Sequence, residues 1–197
     1  ELRTPVAAAL AQTQRLIAEV PDGPPRERAR TVETALRQLS RLSEKLLQLA
    51  KAEGAGLLAE TPQDPVLVLG FVLDEFRDDP ACAGRLAVTL PPQGVLLSRM
   101  DADALAILAR NLIENDIKHG AADQPIALIL TAEGLLRVTN GGPTIQPEEL
   151  SRLRRPFERG ATRGSGSGLG LAIAEAIAAG AGTSLELLSP IPARQSG

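Results

Sequence analysis

Leucine and valine recur between residues 32 and 49 as Val32, Leu36, Leu39, Leu42, Leu46 and Leu49, at steps of four, three, three, four and three. A stripe with that period is the seam of a helix that packs on another helix, because residues three and four apart share a face. An earlier helical pattern carries Leu2, Val6, Ala9 or Leu10, Leu16 and Ile17, and Pro5 is tolerated in it only in the opening turn or at a kink. Between the two lies Pro21-Asp22-Gly23-Pro24-Pro25, which ends the first helix and makes a tight turn. The chain is therefore expected to open with an antiparallel helical hairpin. One hairpin cannot cover its own apolar stripe. Two of them paired as a four-helix bundle can, so a homodimer is expected in preference to packing on the rest of the same chain.

Beyond the hairpin the rhythm changes. Gly54-Ala55-Gly56 and the stretch from Pro62 to Pro65 read as a linker. After it, the pattern predicts a helix over 65–77, short strands over 86–90 and 95–98 divided by Pro91-Pro92-Gln93-Gly94, and a long helix over 101–118 capped by Asp101. A hairpin over 126–130 and 135–139 turns at Glu133-Gly134, a helix runs over 168–179, and a last strand covers 184–188. Helices mixed with mostly hairpin-connected strands indicate an α+β fold, one sheet covered by helices. The expected organisation is a hairpin over 1–53, a linker over 54–64 and an α/β sandwich domain over 65–197.

Composition narrows the partners. Three Phe with no Tyr and no Trp leave almost nothing for stacking on nucleic-acid bases, and a formal charge of −3 gives no electrostatic reason to bind a phosphate backbone. No nucleic-acid partner is expected. A single Cys cannot form an internal disulfide, and with a single His it argues against a zinc site. The longest apolar run, residues 66–73, is too short to span a bilayer. The abrupt Glu1-Leu2-Arg3-Thr4-Pro5 start reads as that of a fragment, with any membrane or sensor segment lying upstream.

Three groups of residues carry chemistry. The alternating glycines of Gly164-Ser165-Gly166-Ser167-Gly168-Leu169-Gly170-Leu171 let a backbone approach a ligand and turn its N–H groups inward. The helix that follows adds its positive end, which makes a phosphate cradle, although such a run alone is also what a flexible loop looks like. Asn111, Asn115 and Lys118 are spaced by four and three and share a helical face. Two amide oxygens and an ammonium there suit a magnesium-bound triphosphate, and equally suit a solvated polar face. Asn140-Gly141-Gly142-Pro143 alone is an ordinary turn after a strand.

Their order is more specific than any one of them. An asparagine-rich helix face, a strand ending in Asn-Gly-Gly-Pro, then Pro156-Phe157-Glu158-Arg159, then Gly-Ser-Gly-Leu-Gly-Leu resembles the ATP-binding domain of sensor histidine kinases. These segments look like that family's asparagine, first glycine, phenylalanine and second glycine boxes. Glu1-Leu2-Arg3-Thr4-Pro5 resembles its phosphoacceptor box, in which a histidine immediately precedes the glutamate. The resemblance covers nearly the whole chain and implies a cytoplasmic core of a membrane-anchored bacterial sensor. Such a core uses ATP and Mg²⁺ to phosphorylate a histidine, passes the phosphoryl group to an aspartate of a response-regulator receiver domain, and in some cases acts as its phosphatase. By the same resemblance Asn115 is the magnesium ligand, assisted by Asn111 and Lys118, and His119 lines the nucleotide. Asn140 receives the adenine amino group and Gly142 lets the base approach. Phe157 and residues 158–167 form a lid, and Gly166, Ser167, Gly168, Leu169 and Gly170 hold the phosphates. Glu1 activates the histidine, and Thr4 positions water for dephosphorylation.

The chain departs from the family pattern in places. The box's histidine falls one position before Glu1, and His119 is the only histidine present. Asn140 replaces an aspartate, a change from a charged to a neutral acceptor that costs on the order of 1 kcal/mol. Thr144 replaces a frequent glycine, Asp116 stands where a small apolar residue is usual, and the lid is short. Two other readings share the fold. ATPases of the gyrase and Hsp90 type carry a water-activating glutamate where this chain has Asn111. A catalytically inactive dimeric signalling scaffold would carry the same departures.

Overall fold

The computed structural model describes residues 3–54, 56–80, 82, 84–158 and 167–190. The chain divides into two compact units, Glu1–Gln48 and Leu49–Gly197.

The first unit is a helical hairpin. Helix α1 (Arg3–Glu19) holds Pro5 in its opening turn, where a missing N–H costs nothing. Helix α2 (Pro24–Glu53) begins earlier than the sequence suggests. Pro24 and Pro25 are not part of the turn but the first two helical residues, since the ring presets the helical φ and the first four N–H groups need no intrahelical partner. The turn shrinks to the residues before them, with Gly23 at φ 145° accepting at its carbonyl from Glu27 N. Gln14 Nε2 reaches across to Glu33 Oε1 at 3.2 Å, and Arg37 holds the same carboxylate at 2.7 Å. Val6 and Ala29 are buried, but Leu16, Val32, Leu39 and Leu46 are exposed, Val32 at 51%.

The second unit is an α+β fold. Asp64 caps helix α3 (Pro65–Arg77) by accepting from Val66 N at 2.8 Å, and its other oxygen accepts from Gly94 N at 2.7 Å. Asp101 caps helix α4 (Ala102–His119) through Ala104 N. A three-stranded sheet has the order β2 (Leu86–Thr89), β4 (Ile126–Leu130), β5 (Leu136–Asn140). Strands β2 and β4 are parallel, joined by a crossover that contains α4, and β4 and β5 form the only hairpin among them, with Gly134 at φ 88° in the turn. Ile126, Leu128 and Leu130 alternate inward along β4, and Leu128 and Leu130 meet Val66, Leu69, Val72, Leu73 and Phe76 of α3 and Leu105, Ala109 and Ile113 of α4. Helix α6 (Gly170–Gly180) packs on α4, and its buried Ala172, Ala174 and Ala178 leave room for close approach.

Several elements differ from expectation. Residues 58–63, read as linker, form strand β1 (Leu58–Gln63), which pairs antiparallel with β3 (Ser98–Met100) as a separate two-stranded sheet. The strand expected over 95–98 is displaced to β3 because the turn at Gly94, φ 76°, extends through Val95. A short helix α5 (Pro147–Leu153) was not foreseen. Residues 184–188 alternate in exposure as a strand would, but pair with no neighbour and form none. Helix α6 begins at Gly170 rather than Gly168, whose φ of 68° is left-handed. Among the described residues, no helix is long and apolar enough to cross a membrane.

Leu69 is fully buried between α3 and the sheet. Leu69→Ala is expected to cost about 3 kcal/mol of stability, read as a shift of the urea midpoint without a change in slope.

Candidate functional site

Helix α4 carries the asparagine-rich face into the middle of the second unit. Asn111 is only 2% exposed; its Nδ2 donates to Ile107 O at 2.7 Å, and its Oδ1 lies where a Cβ on Gly170 would come within 3.5 Å. The asparagine face and the start of α6 are thus brought together. Asn115 is half-buried, one turn further on. Lys118 is exposed, with Glu114 Oε2 at a loose 3.9 Å, a contact worth little in water.

Helix α6 starts without a side-chain cap at Leu169. Leu169 N reaches the Ser167 hydroxyl at 3.4 Å, but the first N–H groups of the helix itself have no intrahelical acceptor. Their summed dipole gives this end positive character and suits it to an anion. Before it, Phe157 N donates to Gly168 O at 2.9 Å. Both residues are left-handed, and a Cβ on Gly168 would meet Glu158 O at 2.7 Å, so only glycine fits. Phe157 pays about 1 kcal/mol or more in backbone strain for its φ of 66°, while its ring is 60% exposed. Glu158 is paired with Arg152 at 3.0 Å, and Arg154 reaches Glu175 of α6 at 3.6 Å, so the C-terminal end of α5 and the turn after it are tied down.

A third junction joins the end of α4 to the end of β5. A Cβ on Gly120 would lie 2.5 Å from Asp116 O and 2.8 Å from Asn140 Nδ2, so the absence of a side chain lets strand and helix meet. Ala121 N donates to Gly141 O at 2.7 Å, and Arg85 holds the loop through Ala121 O at 2.8 Å and Gln124 O at 3.0 Å. Gly142 is open apart from His119 O at 3.7 Å. Gly120 and Arg85 escaped the sequence reading. Gly120 had a readable signal, a glycine directly after a helix ending in Lys-His, whereas Arg85 had none.

Asp116, at the same junction, is 8% exposed, and its Oδ2 has no hydrogen-bond partner among the described residues. Burial raises its carboxyl from the ordinary 3.8 to about 7. Burial, and after it the Lys118 charge, holds the His119 imidazole below its usual range. Thr4 is exposed in the first turn of α1, in the other unit. Glu1 and residues 159–166, which include Gly166 and most of the expected lid, lie outside the described residues. Among the described residues no three His, Cys, Asp or Glu side chains are grouped to hold a metal. An ion at Asn115 would take its remaining ligands from phosphates and water, a pattern that suits Mg²⁺.

The chain matches families of known proteins and shares its fold with solved ones. Residues 1–55 match the family model of the His Kinase A (phospho-acceptor) domain, and residues 100–196 match that of the histidine kinase-, DNA gyrase B-, and HSP90-like ATPase. Sensor protein QseC of Escherichia coli O157:H7 is 28% identical over 164 residues, covering 81% of this chain and 36% of QseC. Sensor protein PfeS of Pseudomonas aeruginosa is 33% identical over 166 residues, 81% of this chain and 35% of PfeS. The chain therefore spans little more than a third of the length of these relatives. Full-length ShkA, crystallised with AMPPNP, superposes with a TM-score of 0.68 at 20% identity, over 91% of this chain and 39% of that one. Histidine kinase AdeS of Acinetobacter baumannii does so at 0.56 and 23%, over 89% and 84%. At those identities the likeness is one of fold.

A carboxyl whose folded value is raised binds a proton that the unfolded chain has already released, so stability falls as pH climbs from 3.8 to about 7. Asp116→Asn removes that titration. Its stability relative to the parent should rise across the same window, by up to a few kcal/mol, in denaturant midpoints measured at each pH. A difference that does not vary with pH would contradict the burial of an ionisable carboxyl here.

Proposed function

The chain belongs to the sensor histidine kinases, as a catalytic core of that family, and on that premise we propose that it is an ATP-dependent protein-histidine kinase of a two-component system. The observation that carries the reading is the meeting of Asn111 with Gly170 at the uncapped start of α6, which puts the asparagine face and the glycine run at one place. Mg·ATP bound there would supply the transferable phosphoryl group. Around it, Asn115 offers a hard amide oxygen suited to Mg²⁺, and Lys118, released from its loose contact with Glu114, neutralises phosphate charge. The N–H groups at Gly170, together with Ser167, Gly168, Leu169 and, by the family's box, Gly166, receive the phosphates. Asn140 accepts from the adenine amine, His119 and the open space at Gly142 flank the base, and Phe157 anchors a lid formed by the residues after it.

The phosphoryl acceptor is the histidine that precedes the glutamate of the family's box, with Glu1 polarising it. The bond from the γ-phosphorus to its bridging oxygen breaks, a bond to the imidazole nitrogen forms, and ADP leaves with the bridging oxygen. Transfer to an aspartate of a response-regulator receiver domain follows, with Thr4 positioning water when the phosphorylated regulator is hydrolysed. Transfer is favoured over ATP hydrolysis because Asn111, its amide bonded to Ile107 O, presents no carboxylate to activate water. The exposed Leu16, Val32, Leu39 and Leu46 support a homodimer through the hairpin. The relatives named as sensor proteins support a cytoplasmic core attached to membrane segments outside this chain.

Two measurements test the reading. Calorimetry with Mg·ADP and Mg·AMPPNP should show binding that chelation weakens and that Asn115→Ala weakens at least about tenfold. Absence of any nucleotide binding by the parent chain would leave the catalytically inactive dimeric scaffold as the better account. In sedimentation, the parent should run as a dimer, and Leu39→Glu, which puts a charge into the apolar stripe, should shift it to monomer at micromolar concentration.

A further inference from the structure

One row of residues crosses the three-stranded sheet at the end where β5 finishes: Leu86 of β2 faces Ile126 of β4, which faces Asn140 of β5. Just past that row come Arg85, the loop 120–125 that leads from α4 into β4, and Gly141. Strand pairing ends at the row, so the loop is held against Gly141 by other bonds.

Arg85 supplies two of them. Its Nη2 donates to Ala121 O at 2.8 Å and its Nε to Gln124 O at 3.0 Å. Its own main chain is fixed as well, with N donating to Cys82 O and O accepting from Ile126 N, both at 2.8 Å. A guanidinium holds its donors in one rigid plane, so these two carbonyls are fixed relative to each other and to β2. The loop passes the constraint on at two points. Ala121 N donates to Gly141 O at 2.7 Å, and a Cβ on Gly141 would lie 2.7 Å from Gln124 Cβ. Gly141 is thus bonded to one end of the loop and pressed by a side-chain stem at the other. The next residue, Gly142, faces open space apart from His119 O at 3.7 Å.

We propose that Arg85 is a positioning residue for base recognition: its guanidinium, bonded to Ala121 O and Gln124 O, sets the spacing between the α4–β4 loop and the Asn140–Gly142 segment. The inference rests on the nucleotide-binding reading and leaves its assignments as they stand, with Asn140 accepting from the adenine amine. Arg85 touches no ligand and acts through the loop. Without its planar fork the loop is free to draw away from Gly141 or to settle beside Gly142. Either movement takes from Asn140 the fixed geometry that a discriminating hydrogen bond needs.

The test compares the parent with Arg85→Met, which keeps an unbranched stem and has no donor, and with Arg85→Lys, which keeps the charge without the fork. In nucleotide-free NMR spectra of Arg85→Met the Ala121 amide proton should move upfield as its bond to Gly141 O lengthens, while that of Ile113 in α4 keeps its position. Calorimetry then sets Mg·ATP against the magnesium complex of purine riboside 5′-triphosphate, which lacks the amino group. The parent should prefer ATP at least about fivefold. Arg85→Met should bind ATP at least about tenfold more weakly and retain a preference of about twofold or less, with Arg85→Lys between the two. An arginine that only stiffened the fold would lower the melting temperature and leave the preference of the folded chain unchanged. A preference that survives Arg85→Met, or an Ala121 resonance that does not move, overturns the positioning role while nucleotide binding stands. A parent with no preference does the same, since there is then no base recognition to position. A parent that binds neither triphosphate overturns the nucleotide reading and this inference together. If only Arg85→Lys folds, its preference decides by the same rule. Failure of both variants to fold overturns the role, because Arg85 would then support the fold as a whole.

Discussion

Helix α4 is constrained on two sides, and the rest of the second unit is arranged around that fact. Leu105, Ala109 and Ile113 face the sheet and α3, while the side bearing Asn111 faces α6. A helix buried on both flanks has little freedom to rotate or slide, because either movement opens voids in a close-packed interior. Its polar residues inherit that rigidity. Asn111, Asn115 and Lys118 are positioned by apolar packing several residues away, which is how a site made of side chains with little mutual bonding keeps its geometry.

Glycine at two places lets segments of the second unit meet closely. Gly120 admits Asn140 at the end of α4, and Gly168 admits the backbone of the turn after α5. Each contact involves backbone, or a side chain one bond away from it, and a methyl group would obstruct Gly120 and Gly168 outright. The glycines therefore serve less as flexible points than as gaps through which rigid elements meet.

The sequence made some of this readable and hid the rest. The starts of α3 and α4 follow from local chemistry, Asp64-Pro65 and Asp101 each marking a helix N-terminus, and the β4–β5 hairpin follows from alternation around Gly134. Strand β1 was hidden because Leu58–Gln63 contains Pro62 and little β-branched character; it exists through its pairing with β3 and through Asp101 N bonding Leu57 O. Residues 184–188 show the reverse, a strand-like alternation that finds no ladder. For the site, spacing alone marks Asn111, Asn115 and Lys118 as one face, but nothing local says that Asn111 abuts Gly170 or that Asp116 is buried with its Oδ2 meeting no donor among the described residues. Those are tertiary facts, set by elements dozens of residues apart.

The bond from Phe157 N to Gly168 O has a bearing on how such a chain can vary. It pins together two points eleven residues apart in the chain, and it does so entirely with main-chain atoms. The entropy of closing a loop across fixed ends grows only as the logarithm of its length, with each doubling adding about 0.6 kcal/mol. Added residues between the pinned ends therefore cost little in closure entropy. Length is the property that can change most cheaply here while the main-chain bond between Phe157 and Gly168 keeps its geometry.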